Sequence, residues 1–373
     1  MAAKGQGAPE VGQAYARARE LCRQVGETPQ LFPVLWGLWR FYWMQAEHQT
    51  ARELAEQCLS LSQLLQDPAL LLGAHFALGG TLLFCGEFAP ARASLEQGIA
   101  FYNAREHRSL AFRYGQDLGV TDLSYASWAL WFLGYPDQAL QRMNEAFALA
   151  KELSHQLSLA AVFTYAAQTS LFRREGPAAQ DQAEAAMALS SEHGFPQFLT
   201  LGVILRGWAL TIQGQVEEGI AQMRHGLATR RAIGIELCRP YMLTALAEAC
   251  GQVGQGEEGL YILAEALALG DKNGERLYEA ETYRLKGALL LQQTAPDESQ
   301  AETCFQQALD SARRQQAKSL ELRAVMSLSR LWQRQDKGAE SRKLLAPVYG
   351  WFTEGFDTAD LRDAKALLEA LER

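Results

Sequence analysis

The chain has 373 residues, 48% of them hydrophobic and 21% charged, enough to bury a large core and too apolar for a disordered tract. Its formal net charge is -8 and its pI about 5.4, which argues against a surface built to bind phosphates. Met1 to Glu10 holds no apolar stretch, so no signal peptide is expected, and the longest apolar run, Leu70 to Cys85, is too short to span a bilayer.

From the N-terminus, residues 1–8 read as a disordered start. Residues 9–25 read as one helix with Val11, Tyr15, Ala18, Leu21 and Cys22 on its apolar face. It is the second half of a hairpin whose first half is missing, so the array is expected to continue upstream in a longer parent, or to have been cut or started there. Residues 29–351 read as consecutive helical hairpins. A small residue sits just inside the second helix of each. The series Val11, Ala51, Ala91, Ala139, Ala178, Gly219, Gly259, Ala301 and Ser341 advances by 40, 40, 48, 39, 41, 40, 42 and 40.

The bends carry Gly86, Gly134, Gly214 and Gly254. Leu133-Gly134-Tyr135-Pro136 shows why: glycine suits the left-handed residue that stops one helix, and proline suits the first turn of the next. Small residues also mark where the first helices cross their partners: Gly79, Ser127, Gly207, Ala247, Gly287 and Ser329. The step of 48 isolates an insertion at about 102–120. Residues 352–373 read as a capping helix, with Thr358 at its N-cap and Leu361, Ala364, Leu367, Leu368 and Leu371 along one face. Strand signals are nearly absent. The expected fold is all-α, a right-handed α-solenoid of about eight hairpins with a period near 40, forming one unit over residues 1–373.

Chemistry is sparse. No P-loop, G-x-S-x-G, H-E-x-x-H or EF-hand loop occurs. The six cysteines form no C-x-x-C and read as buried small hydrophobes in a reducing, cytoplasmic compartment. The six histidines are scattered. Carboxylates such as Glu217-Glu218 and Glu257-Glu258 sit in first helical turns, where they complement the dipole. No enzyme activity, cofactor or metal is expected from these residues.

The aromatic residues are more informative. In the repeat register, Trp36, Arg40 and Trp43 face the inner groove, as do Trp128 and Trp131 in the third hairpin and Trp208 in the fifth. Tight packing between hairpins is the plainer account of such rings. Capture of a protein, a peptide or a small effector is the functional one. The insertion adds Arg113, Tyr114 and Asp117 as candidate contacts, because repeat insertions map to loops on one face. The calculated groove is aromatic and basic. Nucleic acid is disfavoured by the net charge and by the absence of a recurring residue code, and a membrane by the missing apolar span.

Leu78-Gly79, Leu82, Gly86, Ala91 and Leu95, and again Ala301, Phe305 and Ala308, resemble the tetratricopeptide repeat, whose usual period is 34. Longer stretches resemble the C-terminal repeat region of bacterial proteins that join a class III adenylate/guanylate cyclase, an AAA-type or STAND-like ATPase and a tetratricopeptide array. They are Tyr114-Gly115-Gln116-Asp117, Arg206 to Leu210, Glu279 to Gly287, Arg313 to Arg323 and Leu344 to Thr358. The resemblance implies a sensor or scaffold array that receives a partner and regulates upstream ATPase or cyclase domains, whose motifs are absent here. The alternatives are an α/α-toroid enzyme and the sensor array of a LuxR-like transcription regulator.

Overall fold

The computed structural model describes residues 13–15, 17, 18, 20 and 30–372, with the backbone alone for residues 112 and 113. Most of the expected half-repeat at 9–25, including Val11, Leu21 and Cys22, lies outside the described residues, as does the start at 1–8. Of that stretch, Tyr15 is helical and packs against the position of Gly37.

The described residues form nineteen helices and no strand. Sixteen make eight hairpins: α1 (Leu31–Met44) with α2 (His48–Leu65), α3 (Pro68–Phe84) with α4 (Phe88–Phe101), α7 (Leu118–Phe132) with α8 (Pro136–Leu153), and α9 (Gln156–Phe172) with α10 (Gly176–His193). Then come α11 (Pro196–Ile212) with α12 (Val216–Ala232), α13 (Arg239–Gln252) with α14 (Gly256–Asn273), α15 (Glu279–Leu291) with α16 (Glu298–Arg314), and α17 (Lys318–Arg334) with α18 (Gly338–Tyr349). Between the second and third hairpins lie α5 (Ala104–His107) and α6 (Leu110–Tyr114); α19 (Ala359–Ala370) follows the last.

The crossing residues behave as their size requires. Ser127 Oγ donates to the Ala139 carbonyl at 2.7 Å, and a Cβ added to Gly207 would stand 2.8 Å from the Gly219 carbonyl. In the fourth hairpin the register falls on Ala179, fully buried, and not on exposed Ala178. The steps on either side then both become 40, so the true series is more regular than the one read from the sequence.

Seven of the eight bends contain a residue with positive φ. Four are the expected glycines, among them Gly134 at +92°. The other three are Ala46, Arg174 and Asp336 at +58°, +63° and +59°. Thr358 does precede the last helix, but its hydroxyl donates back to the Gly355 carbonyl at 2.7 Å and does not cap.

The winding positions everything else, because the array meets itself after one turn. The bend of the first hairpin meets the connector after the fifth: Glu236 and Leu237 both donate N–H to the Met44 carbonyl. The second bend meets the connector after the sixth, through Arg276 N–H to the Phe84 carbonyl at 2.7 Å. At the third, the Ser319 hydroxyl donates to the Trp131 carbonyl, and Glu354 accepts from the backbone of Asp137 and Gln138. At the fourth, Arg323 donates to the Phe172 carbonyl at 2.8 Å. The first bend thus meets the fifth connector, and the chain winds past its own start instead of closing the ring that a toroid needs. Within this turn α7 is buried along all fifteen of its residues.

Candidate binding cavity

The winding determines where the sequence-derived candidates end up. They were expected on an open concave face, but the second turn covers that face. Trp36, Arg40, Trp43, Trp128, Trp131 and Trp208 are all under 7% exposed. They belong to an aromatic column along the superhelix axis. Trp36 packs on Tyr114 at 4.6 Å between ring centroids, Trp43 on Tyr125 at 6.2 Å, Tyr125 on Trp128 at 4.9 Å, and Trp131 on Phe172 at 4.8 Å. Phe172 and Trp208 both meet Tyr241, at 6.0 and 5.4 Å. The Arg40 guanidinium lies 5.0 Å from the Trp43 ring, and burial lowers its pKa.

The insertion turns inward too. Tyr114 and Asp117 are buried. Asp117 caps α7 by accepting the Val120 N–H at 3.0 Å, receives the Tyr102 hydroxyl at 3.0 Å, and donates its own N–H to Ser158 Oγ at 2.8 Å. These bonds give it a structural task. The Arg113 side chain is outside the described residues.

Of the candidates, Trp208 borders open space. A cavity of about 640 Å³ opens where the fourth bend and α11 face α13, α15, α17 and α19. Trp208, Tyr278 and Met326 supply its apolar wall. Its charged lining is Arg174, Arg284, Arg323 and Arg330 against Glu248, Glu281, Asp360 and Asp363. The groove therefore carries acids as well as bases, which corrects the aromatic and basic face calculated from the sequence.

Most of these charges are committed to one another. Arg323 reaches Asp360 at 2.7 Å and Glu281 at 3.6 Å, donates to the Tyr278 hydroxyl oxygen at 3.2 Å, and sits 5.0 Å from the Trp131 ring. Burial works against its charge, yet Asp360, Tyr278 and Glu281 hold its pKa well above the usual range. Arg284 pairs with Glu281 at 2.7 Å. Burial would raise the Glu281 carboxyl, but Arg284 and Arg323 outweigh it and keep it low. Arg174, at the left-handed bend, bridges to Asp363 at 2.7 Å and Asp360 at 3.4 Å.

Glu248 differs. It is half-buried, no hydrogen bond or ion pair engages it among the described residues, and burial with Glu281 nearby raises its pKa. A register signal could have found it. Glu248 and Arg330 each follow a crossing residue, Ala247 and Ser329, as Trp128 follows Ser127 and Trp208 follows Gly207. That position lines the axis whatever residue fills it, and the aromatic ones alone draw the eye. No group of metal-ligating side chains occurs among the described residues, and no described helix is long and apolar enough to cross a membrane.

No family model matches the chain. It is 24% identical over 288 residues to an uncharacterized protein of Rhizobium meliloti (strain 1021), R02095. That match takes in 74% of this chain and 27% of the relative, so the chain spans about a quarter of the relative's length. Among solved structures it resembles a Rap protein complexed with Competence and Sporulation Factor, with 10% identity, 91% of this chain and 97% of that one covered, and a TM-score of 0.57. It also resembles aspartyl phosphate phosphatase F from Bacillus subtilis, with 13% identity, coverage of 97% and 89%, and a TM-score of 0.50. At these identities the likeness establishes the fold, a tetratricopeptide-like solenoid of helical hairpins.

Proposed function

We propose that this chain is a non-catalytic binding array that holds a peptide or small effector in the cavity beside Trp208, and that it acts in the cytoplasm as the sensor of a larger signalling protein. The observation that carries the reading is the cavity itself. Its volume of about 640 Å³ falls within the roughly 300–1,000 Å³ of ligand pockets. It is bordered by elements from both turns of the superhelix, so an occupant would bear on the contacts that hold those turns together. The Rap protein of similar fold is complexed with Competence and Sporulation Factor, and an analogous occupant suits a cavity of this kind. Of the sequence-derived candidates, Trp208 is the one we assign to contact with it.

The finer context rests on the resemblance to repeat regions downstream of ATPase and cyclase domains. The length of the Rhizobium meliloti relative, nearly four times the matched segment, is compatible with such a parent. The test is direct. A mixture of synthetic hexapeptides is equilibrated with the full chain, and retained peptides are identified after gel filtration. Retention that Trp208→Ala abolishes supports the site. No retention by the parent chain, or undiminished retention by the variant, would sink it.

A further inference from the structure

We propose that the cavity selects a bipolar peptide segment, one that brings a cationic side chain to Glu248 and a carboxylate to Arg330. This rests on reading the cavity as a peptide site and deepens that reading. The lining carries four arginines and four carboxylates, so its formal charge cancels. A polyanion such as a nucleotide therefore finds no net attraction there. Three of the arginines and three of the carboxylates neutralise one another through the pairs at Glu281, Asp360 and Asp363. Glu248 and Arg330 are left, one of each sign, with no hydrogen bond or ion pair among the described residues.

A half-buried carboxylate that makes no hydrogen bond or ion pair is an unfavourable arrangement that a ligand cation relieves. Trp208 lines the same cavity, and an indole there adds to the preference for an ammonium or guanidinium group. Arg330 is exposed and planar, and its guanidinium matches a carboxylate with two parallel hydrogen bonds. The two groups sit on α13 and α17, with α15 between them in sequence, so a ligand that satisfied both would span the groove and not lie along one helix.

The probe is a positional-scanning library of acetylated, amidated hexapeptides, whose charges come from side chains alone. Peptides retained by the full chain are compared with those retained by Glu248→Gln and by Arg330→Gln. Neither side chain holds another residue in place, and circular dichroism with a thermal melt verifies that both variants fold. The parent should retain peptides carrying Lys or Arg together with Asp or Glu. Glu248→Gln should cut the enrichment of Lys and Arg at least tenfold, and Arg330→Gln that of Asp and Glu. If the parent retains peptides and either variant retains the same set, the bipolar assignment fails and the peptide site stands. If the parent retains none, the peptide reading falls, and this inference with it.

Discussion

Replacing Gly134 with alanine tests whether contact between successive turns holds this superhelix together. Two costs apply there. The backbone has φ +92°, and a side chain in the left-handed region costs about 1–2 kcal/mol. The new Cβ would also stand 2.6 Å from the Trp351 ring and 2.7 Å from Lys318 Cβ, both on the next turn. Overpacking of that kind costs about 1–3 kcal/mol. The sum is about 2–5 kcal/mol. Gly214 provides the control: its φ is +85°, but nothing lies within 4 Å of an added Cβ, so Gly214→Ala should lose the backbone cost of about 1–2 kcal/mol and no more. Urea unfolding followed by circular dichroism measures both, provided the slopes agree. Hydrogen exchange supplies a local readout, since Gly134→Ala alone should speed exchange around Lys318 and Trp351. Equal losses in the two variants would refute the reasoning and reduce Gly134 to an ordinary turn residue.

Three further outcomes are expected. Arg323→Met removes a buried cation, which costs about 3–5 kcal/mol when the partner charges are stranded. Here Arg284 still holds Glu281 and Arg174 still reaches Asp360, so a loss near 3 kcal/mol is expected in the same urea assay. Arg174→Ala breaks a bridge whose cation is 48% exposed, so it should cost at most about 1 kcal/mol, while hydrogen exchange in α19 rises. Asp122 is fully buried with neither carboxylate oxygen bonded among the described residues, and burial, with Asp117 nearby, pushes its pKa well above the ordinary range. The folded chain thus keeps a proton that the unfolded chain releases above about pH 4. Its stabilising contribution is complete below that pH and is lost as pH rises through the folded pKa. Asp122→Asn should therefore melt higher than the parent at pH 8 and not at pH 4; equal gains at both would contradict the assignment.

The hairpins were legible because close packing admits few residue types where two helices cross, and a small residue every 40 positions is hard to produce otherwise. The glycine bends were legible for the same steric reason. Ala46, Arg174 and Asp336 were not, because there the left-handed turn is adopted by residues that carry a Cβ and give no sign of it in the sequence. The winding was the largest gap. How many hairpins complete a turn depends on small rotations between neighbours, and no residue type reports them. Trp36 and Trp43 were placed on the inner face, but without the winding that face looked open to solvent. Glu248 and Glu281 were missed because a carboxylate on a helix ordinarily reads as solvated, and nothing local distinguishes one that points down the axis.

The pairing of the first two bends with connectors four hairpins further on also constrains ancestry. Ordinary solenoids grow or shrink by whole units, since each unit touches only its neighbours. In this chain, duplicating one unit between the first and fifth hairpins would bring Met44 opposite the wrong connector and Phe84 opposite another, with every later partner displaced in step. Length is therefore quantised by the thread of the screw. Variation in such a lineage should accumulate at the ends and in the outer helices, while the number of units between Met44 and Glu236 stays constant.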